Sequence, residues 1–193
     1  MRNPGKAATH AEDDRRVRAA VAGDRKAAEA ILMRLLPTIR NLSRYLVRTD
    51  AEAEDAAQVA CVEILKSLHG WRGEASLEAW ALRIVARVAR RHQGKVMREH
   101  ARRSAAATEL RAVRESPKTP DRYLERRDMV QLLDALPESQ RQALVLHHVL
   151  GWSVPEIAAE LEVPFDTAKS RLRLGRKKLR ALYLAGDDDD DTA

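Results

Sequence analysis

Very little in this chain is aromatic: Phe, Trp and Tyr together make 4% of its 193 residues. Strands lean on aromatic and β-branched side chains, so this scarcity, with Ala, Leu and Arg dominant, favours helices over sheets. Cysteine is scarcer still. Cys61 stands alone, which excludes an internal disulfide and a cysteine-based zinc site. No apolar run approaches the roughly 18 residues of a membrane span. The opening Met1-Arg2-Asn3-Pro4-Gly5-Lys6 lacks the apolar core of a signal peptide. There is no glycine-rich phosphate loop and no Gly-x-Ser-x-Gly elbow. His10, His69, His92 and His100 show no metal-ligand motif with the acids, and the adjacent His147 and His148 point in different directions on a helix. These absences describe a soluble cytoplasmic protein with no metal, no cofactor, no membrane insertion and no catalytic constellation.

What the chain has in excess is positive charge. Its formal net charge is +6, although Asp187 to Asp191 form an acidic run. Nucleic acid is a natural partner for such a balance. The length suits one or two small domains, and 45% hydrophobic residues suffice to build their cores.

The stretch from Leu136 to Leu182 organises the rest. Gly151 stops the helix that precedes it. Ser153 and Glu156 stand at capping-box spacing, with Pro155 in the first turn. Ile157, Ala158 and Leu161 give a short helix its apolar face. A tight break over Glu162–Asp166 follows, and a second helix then runs from about Pro164 or Asp166 to Tyr183. It carries Ala168, Leu172, Leu179 and Leu182 inward. Lys169, Arg171, Arg173, Arg176, Lys177, Lys178 and Arg180 are its charged residues, and no acid interrupts them. A short capped helix, a tight turn and a basic second helix make a helix-turn-helix that can seat its second helix in a major groove.

In chain order, residues 1–12 are expected to be disordered. A short helix over Asp13–Ala22 is stopped by Gly23, and Asp24 caps the next. Ala28, Ile31, Leu32, Leu35, Leu36, Ile39, Leu42, Tyr45 and Leu46 repeat at helical spacing, and Pro37 within that run predicts a kink or a split. Thr49-Asp50-Ala51-Glu52 is a second capping box, opening an acidic helix to about Leu68 with Cys61 in its core face. A loop carries Gly70 and Gly73. Ser76 caps a long basic helix through about Arg103, with Arg83, Arg87, Arg90, Arg91 and Lys95 along it. Trp71 and Trp80 flank its start, as aromatics beside a cationic track do where single strands stack. Periodicity fails from Ser104 to Pro120, which reads as a linker. Asp121–Leu136 is again amphipathic, and Pro137 opens the helix over Glu138–Val149. The domains are thus 13–103 and 121–184, followed by an acidic tail over 185–193.

Two separated blocks resemble one family, the bacterial RNA polymerase sigma factors of the extracytoplasmic-function (ECF) group. Leu136-Pro-Glu-Ser-Gln-Arg-Gln-Ala-Leu-Val-Leu, Gly151-Trp-Ser-Val-Pro-Glu-Ile-Ala-Ala-Glu-Leu and Thr167-Ala-Lys-Ser-Arg-Leu look like its region 4, and Asp24–Arg103 looks like region 2. The resemblance implies an all-α fold of two small helical domains joined by a flexible linker. It implies core RNA polymerase and promoter DNA as partners, with an anti-sigma factor as a further one. Ala53-Glu-Asp-Ala-Ala-Gln resembles the segment that docks on polymerase, which assigns Glu54, Asp55 and Gln58 to that contact. Trp71-Arg-Gly-Glu-Ala-Ser-Leu-Glu-Ala-Trp resembles the segment that handles the −10 element, with Trp71, Arg72, Arg83, Arg87, Arg90, Arg91 and Lys95 as its contacts. Thr167, Lys169, Ser170, Arg171, Arg173, Arg176 and Lys177 are assigned to the −35 element. The chain departs from the family's usual residues at Asp166, where Gly is common, at Val59, where Glu is common, and at Arg87, where Asn is common. The alternative is a conventional helix-turn-helix regulator that binds duplex DNA without polymerase. Such regulators usually bind as dimers, and the N-terminal half here shows no sustained coiled-coil heptads.

Overall fold

The computed structural model describes residues 4–104 and 129–190, with side chains described for 10–94 and 129–184. Every regular element among the described residues is helical. The linker expected over Ser104–Pro120 lies almost entirely outside them. The chain divides into two compact units, 1–91 and 92–193, and each is described by itself.

The N-terminal unit is built from α1 (Pro4–Val21), α2 (Arg25–Leu46), α3 (Asp50–Ser67) and the first half of α4 (Leu77–Ser104). Helix α1 begins at Pro4, so the disorder expected over residues 1–12 is corrected from residue 4 onward. Pro4 occupies a helix start, where proline is tolerated, and after Gly5 in the same first turn no proline or glycine follows until Gly23. There the helix closes with the paired bonds of a Schellman end: Gly23 N donates to Ala20 O and Asp24 N to Ala19 O, both at 3.0 Å. Gly23 holds φ +98, a left-handed conformation that a Cβ would strain. Asp24 in turn caps α2, its carboxylate accepting from Lys26 N at 2.9 Å and Ala27 N at 3.2 Å.

Helix α2 runs through Pro37 as one helix, so of the kink or split expected there the split does not occur. Proline removes the bond to the carbonyl of Met33, but Met33 is 65% exposed, so water can serve that oxygen. Ile31 and Leu35 on one side of Pro37, and Ile39 and Leu42 on the other, are all buried and anchor both halves of the helix in the core. The capping box predicted at Thr49 opens α3, with Glu52 N donating to Thr49 Oγ1 at 3.2 Å and Thr49 N to Glu52 at 3.1 Å. Ala53, Ala56, Ala57, Ala60 and Ile64 bury its inner face, a row of small residues that lets α2 and α3 pack closely. Cys61 is only half-buried, and partial burial raises its thiol pKa, with Arg40 pulling it down and Glu54 pushing it up.

The C-terminal unit comprises a helical segment over 129–134 (α5), α6 (Glu138–His148), α7 (Val154–Glu160) and α8 (Phe165–Asp190). Helix α8 continues seven residues past Tyr183, into the run read as an acidic tail. Nothing in Leu184-Ala185-Gly186 is a proline, and a lone Gly does not stop a helix. Pro137 is the N-cap of α6 rather than its first residue, and at the other end Val149 is 49% exposed.

Several contacts join this unit. Arg141 is fully buried, and its Nη1 donates to Asp134 at 2.8 Å, tying α6 to α5. Helix α8 meets α6 at Gly175, where an added Cβ would lie 3.0 Å from Leu144 Cδ1 and 3.3 Å from Gln140 Cβ. At the next residue of α8, Arg176 Nε donates to His148 Nε2 at 3.4 Å. Partial burial lowers the pKa of His148 first, and His147 and Arg176 lower it further.

Gly175→Val should cost the native state about 1–3 kcal/mol by overpacking the seam. Gly175→Ala should be close to neutral, because a better helix former offsets a tight contact. Urea unfolding followed by circular dichroism checks both, and equal losses would contradict the close-approach account. His148 makes a separate prediction. Its pKa is depressed in the folded protein, so the unfolded chain binds the proton more tightly, and stability is lost as pH falls through the ordinary histidine value of about 6.5. Unfolding midpoints measured from about pH 7.5 to 5.5 should fall more steeply for the native chain than for His148→Gln.

Candidate nucleic-acid interface

Helix α7 opens on the predicted box. Ser153 N donates to Glu156 at 2.9 Å, and Glu156 N reaches back to Ser153 Oγ at 3.5 Å. It ends in a second Schellman pair, Val163 N to Ala158 O at 3.0 Å and Glu162 N to Ala159 O at 3.3 Å. The turn therefore places Glu162 in the left-handed region, at φ 53. This is the only non-glycine residue with positive φ among the described residues. Asp166, where the family often has Gly, sits in the first turn of α8, where no left-handed residue is required. Ile157 and Ala158 of α7 are buried with Ala168 and Leu172 of α8, which fixes the two helices against each other.

Successive residues of α8 turn by about 100°. Ala168, Leu172 and Gly175 share its buried side, with Leu179 and Leu182 half-buried along the same stripe. Lys169, Ser170, Arg173, Leu174, Arg176, Lys177, Lys178 and Arg180 are exposed. Arg173 and Lys177 stand near the middle of this arc. Thr167 and Arg171 are half-buried at its edge, so the seven candidates for the −35 contact form one face graded from flank to centre. Exposed Leu174, at 42%, is an apolar residue on that face which the sequence reading did not single out. Its place between Ser170 and Lys177 at i−4 and i+3 was readable from spacing alone.

In the N-terminal unit Arg83, Arg87, Arg90 and Arg91 fall on one side of α4, with half-buried Trp80 at the head of the row. Ser76 caps this helix, its Oγ accepting from Ala79 N at 3.1 Å. Arg83 and Arg87 are exposed, while Arg91 is engaged with Glu63 of α3. Lys95 lies on the same helix, beyond the described side chains. Arg72 is exposed in the preceding loop. Trp71 is not: it is only 8% exposed, and its indole N–H donates to Ala75 O at 3.0 Å. A stacking role for Trp71 on this surface is therefore corrected. The cover comes from the early turns of α1, which place the His10 ring 6.4 Å from it, and a helix starting at Asp13 would not have supplied that cover.

The acidic helix α3 turns Glu54, Asp55 and Gln58 outward, as expected. Glu54 is paired with Arg40 of α2 at 3.2 Å, both half in water. Val59 and Val62, 46% and 51% exposed, share this face and make it mixed acidic and apolar rather than purely acidic.

Comparison with known proteins places both units. Residues 31–99 match Sigma-70 region 2, and residues 126–179 match Sigma-70, region 4. The chain is 32% identical over 163 residues to the RNA polymerase sigma factor CarQ of Myxococcus xanthus, covering 83% of this chain and 91% of that one. It is 26% identical over 184 residues to the RNA polymerase sigma-H factor of Pseudomonas aeruginosa, covering 89% and 93%. Its fold is similar to that of the sigma factor RpoE of Bartonella quintana, solved in complex with the anti-sigma factor NepR, with a TM-score of 0.59, 23% identity and coverage of 80% and 95%. The two capped helical units, each carrying a cationic helix and each matching its own region, assign the chain to the sigma-70 family, and it belongs to the extracytoplasmic-function group of RNA polymerase sigma factors.

Proposed function

We propose that this sigma factor binds core RNA polymerase and directs it to promoters, with α8 in the major groove of the −35 element and the Arg72 loop and α4 on the −10 element as it melts. The observation that carries this reading is the face of α8: seven cations with no acid among them, presented by a helix whose opposite side is locked to α6 and α7. A helix-turn-helix reads base edges from the early turns of its second helix and takes phosphates further along. Lys169, Ser170, Arg171 and Arg173 stand in the first group, and Arg176, Lys177 and Lys178 in the second. Thr167, half-buried in the first turn, is placed to meet the phosphate backbone.

For the −10 element the row Arg83–Arg87–Arg90 supplies cations for a strand, with Lys95 further along the same helix in sequence, and half-buried Trp80, not Trp71, is the aromatic available beside the row. The mixed face of α3 supplies a polymerase contact through Glu54, Asp55 and Gln58, with Val59 and Val62 as apolar anchors. The work is cytoplasmic, where polymerase and promoter are. An anti-sigma factor is a further partner in this reading, on the analogy of the Bartonella complex. A regulator acting without polymerase would leave the α3 face and the α4 row without a task.

In vitro transcription with core polymerase on a genomic promoter library should yield a small set of promoters sharing two elements. Transcription no better than core alone would overturn the reading. Reversing Glu54 and Asp55 to Lys should weaken capture of core polymerase with little change in helix content, since both side chains are exposed. Arg171→Ala should cost about 1–3 kcal/mol on the preferred −35 sequence and blur its preference. Lys177→Ala should weaken binding to every sequence alike and reduce the salt dependence. Equal losses on matched and scrambled duplexes for Arg171→Ala would reduce Arg171 to a phosphate clamp.

A further inference from the structure

We infer that Leu174 is a sequence-reading residue, packing against the 5-methyl group of a thymine in the upstream promoter element. This rests on the major-groove placement of α8 proposed above. Leu174 is 42% exposed, and its neighbours on the helix surface are cations and a hydroxyl. Ser170 lies four residues before it and Arg171 three before. Lys177 lies three after and Lys178 four after, which are the spacings at which helical side chains meet. Around the helix axis Leu174 lies within the charged arc, roughly 50° from its centre, and about 130° from the middle of the buried stripe of Ala168, Leu172 and Gly175. It is therefore not a core residue that happens to show an edge. In the free protein 42% of this leucine remains in water, apolar surface that a partner can cover.

The groove supplies what the helix lacks. Phosphate oxygens line its rims and suit the cations on either side of Leu174. Its floor is polar except at thymine, whose methyl projects into the major groove and is the apolar mark by which a side chain distinguishes T·A from the other pairs. A leucine set between base-reading and phosphate-binding residues is placed to bury that methyl while Lys177 and Lys178 hold the backbone. Its residue type matters. A polar residue of similar length would find acceptors and donors on any base pair, whereas Leu gains only where a methyl is present.

The test uses holoenzyme assembled from the full chain and core polymerase, on a promoter that this holoenzyme selects from a random library. Each thymine of the upstream element, on both strands, is replaced singly by deoxyuridine, which removes the methyl and nothing else. At one position the substitution should weaken promoter binding about fourfold, the value of one buried methyl group. The same substitution should have no effect for holoenzyme carrying Leu174→Ala or Leu174→Gln. Both variants should keep the native unfolding midpoint, because the side chain is exposed. If no deoxyuridine weakens binding, or if the variants remain as sensitive as the native protein, the inference is overturned. The same holds if the variants lose core polymerase binding instead, which would make Leu174 a protein contact. Failure to select any shared upstream sequence would overturn the major-groove reading itself, a result distinguishable from all of these.

Discussion

Helix α8 can give so much of its circumference to positive charge because its buried stripe is narrow. Ala168 and Gly175 are small, and only Leu172 among the fully buried residues of the helix is large. A wide apolar face would have turned some cations inward, where an unpaired charge is costly. A narrow face needs close approach to recover enough contact, and Gly175 provides it by letting the helix rest on Leu144 and Gln140. The charge of the exposed surface and the smallness of the buried one are thus a single constraint. The buried Arg141–Asp134 pair serves the same platform from below, because α6 must itself be held before α8 can be seated on it.

The N-terminal unit meets a comparable demand by different means. Helix α3 faces α2 with alanines, so the two approach closely without a glycine. Its outer surface is then free to mix acids with Val59 and Val62. Arg40, Arg44 and Arg91 reach across from neighbouring helices to Glu54, Asp50 and Glu63. Pairs this exposed contribute little to stability. Their effect is to moderate the acidity of α3 in the free protein, so that a basic partner must compete with the chain's own arginines for Glu54.

The elements that sequence reveals best are those whose signals are local. Asp24, Thr49, Ser76 and Ser153 each cap the helix that spacing assigned to them, because a cap satisfies donors within three residues of itself. The basic face of α8 was legible for the same reason. That Pro37 does not split α2 was not legible, because its cost depends on whether Met33 is wetted and on what anchors the two halves, neither of which is written nearby. Trp71 was misread because its cover comes from the far end of α1. Exposed Val62 and Leu174 look like ordinary core residues until the direction of each helix is known. The start of α1 and the extension of α8 lay in stretches whose composition suggested tails.

These local caps also bear on how quickly the protein becomes usable. Within each unit the helices that touch are close along the chain: α1 with α2, α2 with α3, α6 with α7, α7 with α8, and α6 with α8 across the short α7 alone. Little loop entropy must be spent before such contacts form, and helical domains of this kind fold in microseconds to milliseconds. Each unit contains its own core, so the first can complete itself before the second has left the ribosome. A transcription programme that begins with synthesis of this chain would then be delayed by translation and assembly with polymerase, and hardly at all by folding.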